Sequence, residues 1–322
     1  MTAPVLFCTD TFWDDRGDEI VAIDPSVEVV RLVGTEHITP SDLERITVAY
    51  FSPDAWPTRS ANFIGTCLRA PNLQWLQTFS AGTDSPVFAS LRARGVTVTN
   101  SSGASASSIA QTVILYLLAL SRDLPRLTRA QASRRWEPRL STDLSSVRLG
   151  IVGLGAIGHQ VARLAAAFEM ETIGIRRTVR GDEICETWGD DRLGDLLGWA
   201  DAIAVTAPLT EQTRGMFDAE AFARMRPGAW FVNVGRGEIV DEAALIDALV
   251  SEHLGGAGLD VFATEPLPAD SPLWVFPNVI ITPHSSGTTD VSHHRQVDMF
   301  VDNFRRRTTG QPLANVAPDE LS

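Results

Sequence analysis

The feature that most constrains the fold is the stretch 147–178, VRLGIVGLGAIGHQVARLAAAFEMETIGIRRT. An apolar run typical of a buried strand, LGIV, passes directly into Gly153-x-Gly155-x-x-Gly158, and a helical pattern and a second apolar run follow. This order predicts a βαβ unit. In such a unit the first glycine allows a tight turn, the second lets the backbone approach a pyrophosphate, and the third lets helix and strand pack closely.

The amides that open the predicted helix, at Ala156 and Ile157, would face the phosphates at the positive end of the helix dipole. Three glycines at this spacing are weak evidence alone. Their place between a strand and a helix makes dinucleotide binding a specific prediction. The alternative is a structural glycine-rich turn in an α/β protein.

Arg176, Arg177 and Thr178 follow the second strand, where NAD-binding proteins usually carry an Asp or Glu for the ribose 2′-hydroxyl. A carboxylate would repel a 2′-phosphate, whereas guanidinium groups bind one through bidentate, charge-assisted hydrogen bonds. The sequence therefore predicts a preference for NADP(H), with NAD(H) possible. The alternative is that both arginines are solvated charges and that cofactor choice is settled elsewhere.

Composition limits the other classes of function. The 322 residues suggest about two domains, and the net charge of −13 argues against a nucleic-acid partner. The three cysteines are widely spaced with no CxxC, so neither a disulfide framework nor a metal site is expected, and a reducing cytoplasm is the default. The N-terminus does not resemble a signal peptide, and the longest apolar stretch, 113–120, falls short of a membrane span.

The first hundred residues alternate apolar runs with helical patterns, which predicts an α/β domain with a largely parallel sheet. The predicted strands are 5–8, 27–33, 47–51, 73–79 and 96–99, and the predicted helices are 60–69 and 86–94. Ser80, Ala81 and Gly82 follow the fourth strand. They are interpreted either as a backbone nest for a substrate carboxylate or as a plain turn.

A long, mostly buried helix over 104–121 and an arginine-rich segment over 122–146 are predicted to connect the two domains. Beyond the glycine turn, further strands are predicted at 201–205, 229–234, 256–262 and 279–282. Asp218 and Asp241 are each placed to cap a helix.

Because ligands bind beyond the carboxyl ends of parallel strands, the residues that follow the late strands are site candidates. Arg236, Glu265 and His284 follow three of them, with Asp260 shortly before Glu265. Together they supply a cation for an anionic substrate, an acid–base imidazole and a carboxylate to orient it. Each also has an ordinary interpretation: Arg236 could pair with Asp241, Glu265 could be a loop carboxylate, and His284 could be structural.

The segments GLGAIGHQVA, NVGRGEIVDEAAL, GAGLDVFATEPLP and PNVIITPH resemble, in order, the signature blocks of D-isomer-specific 2-hydroxyacid dehydrogenases. The resemblance covers essentially the whole chain. It implies two Rossmann-like α/β domains, with parallel sheets flanked by helices and the active site in the cleft between them. The substrate domain would be 1–101 plus 288–322, with a returning helix over 299–307, and the dinucleotide-binding domain 102–287. The family usually forms homodimers.

The resemblance also implies roles. His284 would exchange the proton at the substrate C2 oxygen, Glu265 would hydrogen-bond to His284, and Arg236 would bind the carboxylate and polarise the keto group. Asp260 would contact the nicotinamide end. The remaining residues expected at the substrate are Ser80, Ala81 and Gly82, and those expected at the cofactor are Thr206, Pro208, Thr213, Val234 and Gly235.

Some residues depart from the family pattern. Gln111 stands where many members carry Glu, and the acidic ribose ligand is missing. Glu265 argues against formate dehydrogenase activity, because family formate dehydrogenases carry Gln there. A large allosteric phosphoglycerate-type enzyme is not expected, since no regulatory extension follows residue 322.

The resulting hypothesis is a cytoplasmic, homodimeric oxidoreductase. It would transfer a hydride between NADP(H) and a small 2-keto acid or D-2-hydroxy acid of the glyoxylate, hydroxypyruvate or longer-chain kind. Two alternatives stay open. One is an NAD-dependent D-2-hydroxyacid dehydrogenase on the same scaffold, and the other is a dinucleotide-sensing, corepressor-like binding protein. Neither nucleic acid nor a membrane is expected as a partner.

Overall fold

A computed structural model describes residues 3–317, which separate into two compact units. One unit comprises the residues up to Ala104 together with Thr289 and those after it, and the other runs from Ser105 to Thr288. Residues 1–2 and 318–322, which the sequence assigns to the substrate domain, lie outside the described residues. Each unit has a parallel sheet with helices, which confirms the predicted α/β class.

The first unit is built on a five-stranded sheet whose strands all form where the sequence predicts them. They are β1 (Val5–Thr9), β2 (Glu28–Leu32), β3 (Val48–Phe51), β4 (Trp75–Thr78) and β5 (Thr97–Thr99). Their spatial order is β2-β1-β3-β4-β5. The helices between them are α1 (Asp10–Ile23), α2 (Pro40–Arg45), α3 (Ser60–Arg69) and α4 (Pro86–Ala93).

The sequence does not predict α1 or α2. In α1 the sequence DTFWDDRGDEIVAI is strongly acidic, and Phe12 and Ile20 are the buried apolar side chains of a sparse core face. The helix starts where the Thr9 hydroxyl accepts a hydrogen bond from the Phe12 amide at 3.2 Å. A cap directly after a strand is the local signal that could have located it.

The second unit is built on a seven-stranded sheet. Its strands are β6 (Leu149–Val152), β7 (Thr172–Ile175), β8 (Glu186–Trp188), β9 (Ala202–Val205), β10 (Ala229–Asn233), β11 (Leu254–Leu259) and β12 (Val279–Ile281). The order is β12-β11-β10-β9-β6-β7-β8. The direction of winding reverses at β6, and in open α/β sheets this switch point is where ligands bind. The short edge strand β8 is not among the predicted strands.

The helices of this unit are α5 (Ala106–Ser121), α6 (Leu124–Ala132), α7 (Ala156–Ala167), α8 (Leu193–Trp199), α9 (Ala219–Arg224) and α10 (Glu242–Val250). The segment interpreted as an arginine-rich connector therefore contains a helix, α6. Both predicted caps are confirmed. Asp218 accepts from the Ala221 amide at 2.9 Å, and Asp241 accepts from the Ala243 amide at 3.0 Å.

The chain returns to the first unit through α11 (Asp290–Thr308), which begins well before the predicted start at 299. Its Phe300 ring stacks on Tyr50 of β3 with centroids 4.2 Å apart, and it also stacks on Trp75. These aromatic contacts seat the returning helix on the first sheet. No helix within residues 3–317 is both long enough and apolar enough to cross a bilayer.

Candidate active site

The glycine turn after β6 shows three different environments. Gly153 has φ +101°, and a Cβ there would lie 2.5 Å from the Ala207 backbone. A Cβ on Gly158 would lie 2.3 Å from the Gly153 carbonyl oxygen. A Cβ on Gly155, by contrast, would meet nothing within 4 Å. Gly153 thus makes the tight turn, Gly155 leaves space for a ligand, and Gly158 allows close packing of helix and strand. These are the three roles that binding of a dinucleotide pyrophosphate requires.

The turn is tied to both neighbouring strands. The amides of Gly153 and Leu154 donate to the Ile175 carbonyl, each at 3.0 Å, at the end of β7. The Thr206 hydroxyl, just after β9, donates to the Gly153 carbonyl at 2.6 Å. Since Thr206 is 7% exposed, its hydroxyl supports the turn from within.

The N-terminus of α7 suits an anion. Gly155 is the N-cap residue and offers no side-chain cap, so the first amides of this twelve-residue helix are open. Ala156 is exposed and Ile157 is partly exposed, so both amides lie near the surface. These residues fit a bound pyrophosphate.

The predicted ribose residues lie at the end of β7, directly after the carbonyl that the glycine turn contacts. Arg176 is partly buried, and its Nη1 lies 3.2 Å from Glu183 Oε1. Arg177 and Thr178 are exposed. The partner Glu183 is not among the residues that the sequence predicts for this site.

The remaining predicted cofactor residues follow β9 and β10. The Thr213 hydroxyl donates to the Pro208 carbonyl at 2.8 Å, which closes the loop after β9. Val234 is buried, and a Cβ on Gly235 would lie 2.8 Å from the Ala207 carbonyl oxygen. Ala207 therefore packs against both the glycine turn and the end of β10. These residues form one continuous edge of the sheet.

Arg236 lies in a turn that the Asn233 side chain shapes. This side chain accepts from the Gly235 amide and donates to the Arg236 carbonyl, both at 3.0 Å. A Cβ on Gly237 would lie 1.9 Å from the Phe262 carbonyl carbon. The Arg236 turn therefore packs directly against the segment that leads to Glu265.

Glu265 and His284 form the hydrogen bond that the sequence predicts. His284 Nδ1 lies 2.8 Å from Glu265 Oε2, and Glu265 Oε1 accepts from the Phe262 amide at 3.1 Å. The side chains remain 48% and 35% exposed, so Nε2 of His284 is accessible to a ligand. The Glu265 carboxylate on Nδ1 holds the orientation of the imidazole ring.

Asp260 has a structural role that the sequence does not predict. Its carboxylate is 1% exposed and accepts hydrogen bonds from the Ser285 amide at 2.9 Å, from the Ser286 amide at 3.1 Å and from the hydroxyls of Thr282 and Ser286. The His284 amide donates to the Asp260 carbonyl at 2.8 Å. Asp260 thus holds the loop that carries His284, which has φ +50°.

Because the Asp260 carboxylate only accepts, the single Thr282 hydroxyl proton goes to it. Tyr116 of α5 must therefore donate to the Thr282 oxygen. Burial raises the pKa of the Tyr116 phenol and the Thr282 hydrogen bond opposes this, so the phenol stays protonated.

In the first unit, the Ser80–Ala81–Gly82 turn after β4 has its carbonyl groups engaged. The Ser80 hydroxyl donates to the Gly82 carbonyl at 2.9 Å, the Asn100 side chain to the Ala81 carbonyl at 2.9 Å, and the Ser101 amide to the Ser80 carbonyl at 3.0 Å. The described residues provide no acceptor for the Ala81 and Gly82 amides. Amides without an internal acceptor are what the anion-nest interpretation requires.

The chain is similar in sequence to known 2-hydroxyacid dehydrogenases. Residues 114–286 match the family model described as D-isomer specific 2-hydroxyacid dehydrogenase, NAD binding domain. A D-3-phosphoglycerate dehydrogenase of Mycobacterium tuberculosis (strain ATCC 25618 / H37Rv) is 33% identical over 322 residues, covering 97% of this chain. The chain spans 58% of the length of that relative.

Two further proteins are similar over nearly their full length. A glyoxylate/hydroxypyruvate reductase B of Citrobacter koseri is 34% identical over 295 residues, covering 89% of this chain and 91% of that protein. The crystal structure of a D-isomer specific 2-hydroxyacid dehydrogenase from Xanthobacter autotrophicus Py2, in complex with NADPH and MES, superposes with a TM-score of 0.80. It is 32% identical and covers 99% of each chain.

Proposed function

The chain belongs to the D-isomer-specific 2-hydroxyacid dehydrogenase family, and we propose that it is an NADPH-preferring reductase of small 2-keto acids. The observation that carries this proposal is the 2.8 Å hydrogen bond between His284 and Glu265, on a sheet edge shared with the glycine turn. An imidazole oriented by a carboxylate beside a dinucleotide site is the arrangement that proton-coupled hydride transfer needs.

When bound, the nicotinamide supplies the hydride that reaches C2 of the keto acid. His284 donates a proton from Nε2 to the C2 oxygen, because Glu265 occupies Nδ1. The Glu265 carboxylate holds the ring in the orientation that this donation requires. Arg236 binds the substrate carboxylate and stabilises the negative charge that develops on the C2 oxygen. In the first unit, the amides of Ala81 and Gly82 are candidates to bind a carboxylate.

The cofactor proposal rests on two supports. Arg176 and Arg177 occupy the place where NAD-binding proteins usually carry a carboxylate, which would repel a 2′-phosphate. In addition, the Xanthobacter structure is a complex with NADPH. NAD(H) remains possible, because a guanidinium does not exclude a ribose hydroxyl.

We further propose a substrate without a phosphate group. The loop after β3 lies beside the loop after β4, since the Phe79 amide donates to the Phe51 carbonyl at 2.9 Å. The cation in the β3 loop, Arg59, is 13% exposed and forms ion pairs with both Asp10 and Asp54. A guanidinium already neutralised by two carboxylates is a poor ligand for a third anion. This favours the substrates of the glyoxylate/hydroxypyruvate reductase relatives over a phosphorylated acid.

A cytoplasmic homodimer completes the proposal. The second unit exposes large apolar side chains on α5, α6 and the segment after them, and Trp136 and Leu140 are 95% and 97% exposed. The other exposed large apolar side chains of α5 and α6 are Leu115, Leu124 and Leu127. An exposed apolar surface of this kind is typical of a protein interface, and the mass in solution tests it.

Initial rates with NADPH and NADH at matched concentrations test the reaction. The panel contains glyoxylate, hydroxypyruvate, its phosphate ester and longer aliphatic 2-keto acids. We expect faster turnover with NADPH, loss of turnover in Arg236→Ala, and a fall of about 10²–10⁴-fold in His284→Ala with NADPH still bound. Cofactor binding without turnover of any keto acid would contradict the reductase and favour a dinucleotide sensor.

A further inference from the structure

The segment between β7 and β8 is organised by one carboxylate. The Glu183 side chain is 5% exposed and accepts from the Arg180 amide at 2.6 Å, from the Gly181 amide at 2.7 Å and from Arg176 Nη1 at 3.2 Å. The hydrogen bond from the Arg180 amide is the main reason that the pKa of Glu183 lies below its ordinary value. The carboxylate is therefore charged at neutral pH and folds residues 176–183 into a closed turn.

This turn lies beside the glycine turn. The Ile175 carbonyl accepts from the amides of Gly153 and Leu154, so Arg176 follows directly after that contact. On the far side, the Arg176 amide donates to the Trp188 carbonyl at 3.1 Å at the end of β8. The segment is thus anchored at both ends next to the expected adenosine ribose.

The same turn presents two further cations. Arg177 and Arg180 are exposed, and within residues 3–317 no acidic side chain lies within ion-pair distance of either. A mobile loop would present these guanidiniums in many positions, whereas a closed turn limits them to one region. A turn that is ordered before the cofactor binds increases affinity, because its conformational entropy is lost during folding and not on association.

We infer that Glu183 is the positioning residue of the cofactor 2′-phosphate subsite, and that it increases affinity for NADP(H) although its own charge opposes a phosphate. The inference rests on the proposed NADP(H) preference and extends it. Two effects compete. The repulsion between Glu183 and a phosphate is offset by the Arg176 guanidinium paired with the carboxylate at 3.2 Å, whereas the three hydrogen bonds of Glu183 are charge-assisted and hold the turn. Because the hydrogen bonds contribute more, the net effect of Glu183 is to increase the affinity for NADP(H).

The test compares Glu183→Gln with Asp182→Asn, titrating each with NADPH and with NADH. Both substitutions remove one negative charge, but Asp182 is exposed and holds no part of the turn. We expect NADPH affinity to fall about tenfold in Glu183→Gln, the loss of roughly one charge-assisted hydrogen bond. NADH affinity should stay within about twofold in both variants, and NADPH affinity should not fall in Asp182→Asn.

Gly181→Ala provides a second variant that changes no charge. Gly181 has φ +87°, and a Cβ there would meet nothing within 4 Å, so the substitution strains the turn without a clash. We expect the same selective loss of NADPH affinity. A rise in NADPH affinity in Glu183→Gln, or an equal fall for both cofactors, overturns the inference. An NADH preference in the unsubstituted chain contradicts the proposed cofactor instead, and the binding titrations require no keto acid turnover.

Discussion

Two loops at the carboxyl edge of the seven-stranded sheet each contain a residue with left-handed backbone, Gly153 at φ +101° and His284 at φ +50°. At Gly153 the conformation requires the absence of a side chain, because Ala207 fills the space that a Cβ would take. At His284 the proposed chemistry needs the side chain, and the conformation is held by Asp260 through hydrogen bonds to the surrounding loop. One loop is shaped by packing and the other by a buried charge.

This difference determines what each loop tolerates. A loop shaped by close packing fails when an atom is added at a packed position, and it then loses affinity for every ligand. A loop shaped by a buried carboxylate tolerates changes of shape but not the loss of the charge that its donors need. The predictions below separate these two modes, beginning with the largest effect.

Gly153→Ala should have the largest effect. The substitution combines a disfavoured φ with a contact of 2.5 Å to the Ala207 backbone, which cannot move without shifting the end of β9. We expect the free energy of unfolding of the second unit to fall by about 4 kcal/mol or more. Denaturant titration followed by a probe in that unit measures this. Unchanged stability together with intact NADPH binding would show that packing does not shape this turn.

Asp260→Asn should have the next largest effect, and a different kind. The amide keeps the shape but places NH₂ donors against the Ser286 amide and hydroxyl, which already donate there. We expect a loss of about 2–3 kcal/mol of stability and a fall in kcat on the order of 10²-fold, because His284 loses its fixed position. Unfolding curves and single-turnover rates measure the two losses.

The matched control for Asp260→Asn is Asp247→Asn on α10, an exposed residue whose carboxylate forms no hydrogen bond or ion pair within residues 3–317. We expect it to change neither quantity. If Asp260→Asn loses NADPH affinity but retains kcat, its main contact is with the nicotinamide, as the family resemblance implies, and not with the loop.

The two loops also show what the sequence can predict. The glycine turn is visible in the sequence because its determinants lie within six residues, Gly153 to Gly158. The His284–Glu265 pair is predicted because both residues follow strands of one sheet and match family blocks. The supporting roles of Asp260 and Thr206 are not predicted, because each residue binds a loop that is distant in sequence. Asp260 binds the His284 loop, and Thr206 binds the glycine turn.

Secondary structure shows the same limit. The strands other than β8 are predicted because apolar runs are local, whereas the acidic helix α1 carries few buried apolar residues. The helix α6 is missed because it is only nine residues long and lies in an arginine-rich segment. Glu183 is missed for a related reason. Two of its three partners are backbone amides, which every residue except proline carries, so the sequence does not indicate the contact.

Gly155→Ala sharpens the comparison within the glycine turn itself. Here a Cβ meets nothing within 4 Å, so the free energy of unfolding should change by less than about 1 kcal/mol. The methyl group would instead occupy the space left for the pyrophosphate, so affinity for NADPH and NADH should fall alike, by roughly tenfold. Calorimetric titration beside a denaturant curve measures both. A selective loss for one cofactor would contradict the assignment of Gly155 to the shared pyrophosphate.

Ionic strength should have the smallest effect, and it tests whether the ribose end resembles the buried-charge loop or an open surface. Asp260 is buried and should be insensitive to salt, whereas Arg177 and Arg180 are exposed and should be screened. Raising the salt concentration from about 0.05 M to about 0.5 M should therefore weaken NADPH binding roughly two- to fivefold more than NADH binding. Affinities measured across that range, with Arg177→Ala as the control that removes the difference, provide the test. Equal salt dependence for both cofactors would mean that the exposed arginines do not contact the 2′-phosphate, and that any preference for NADPH arises from Arg176 and the turn held by Glu183.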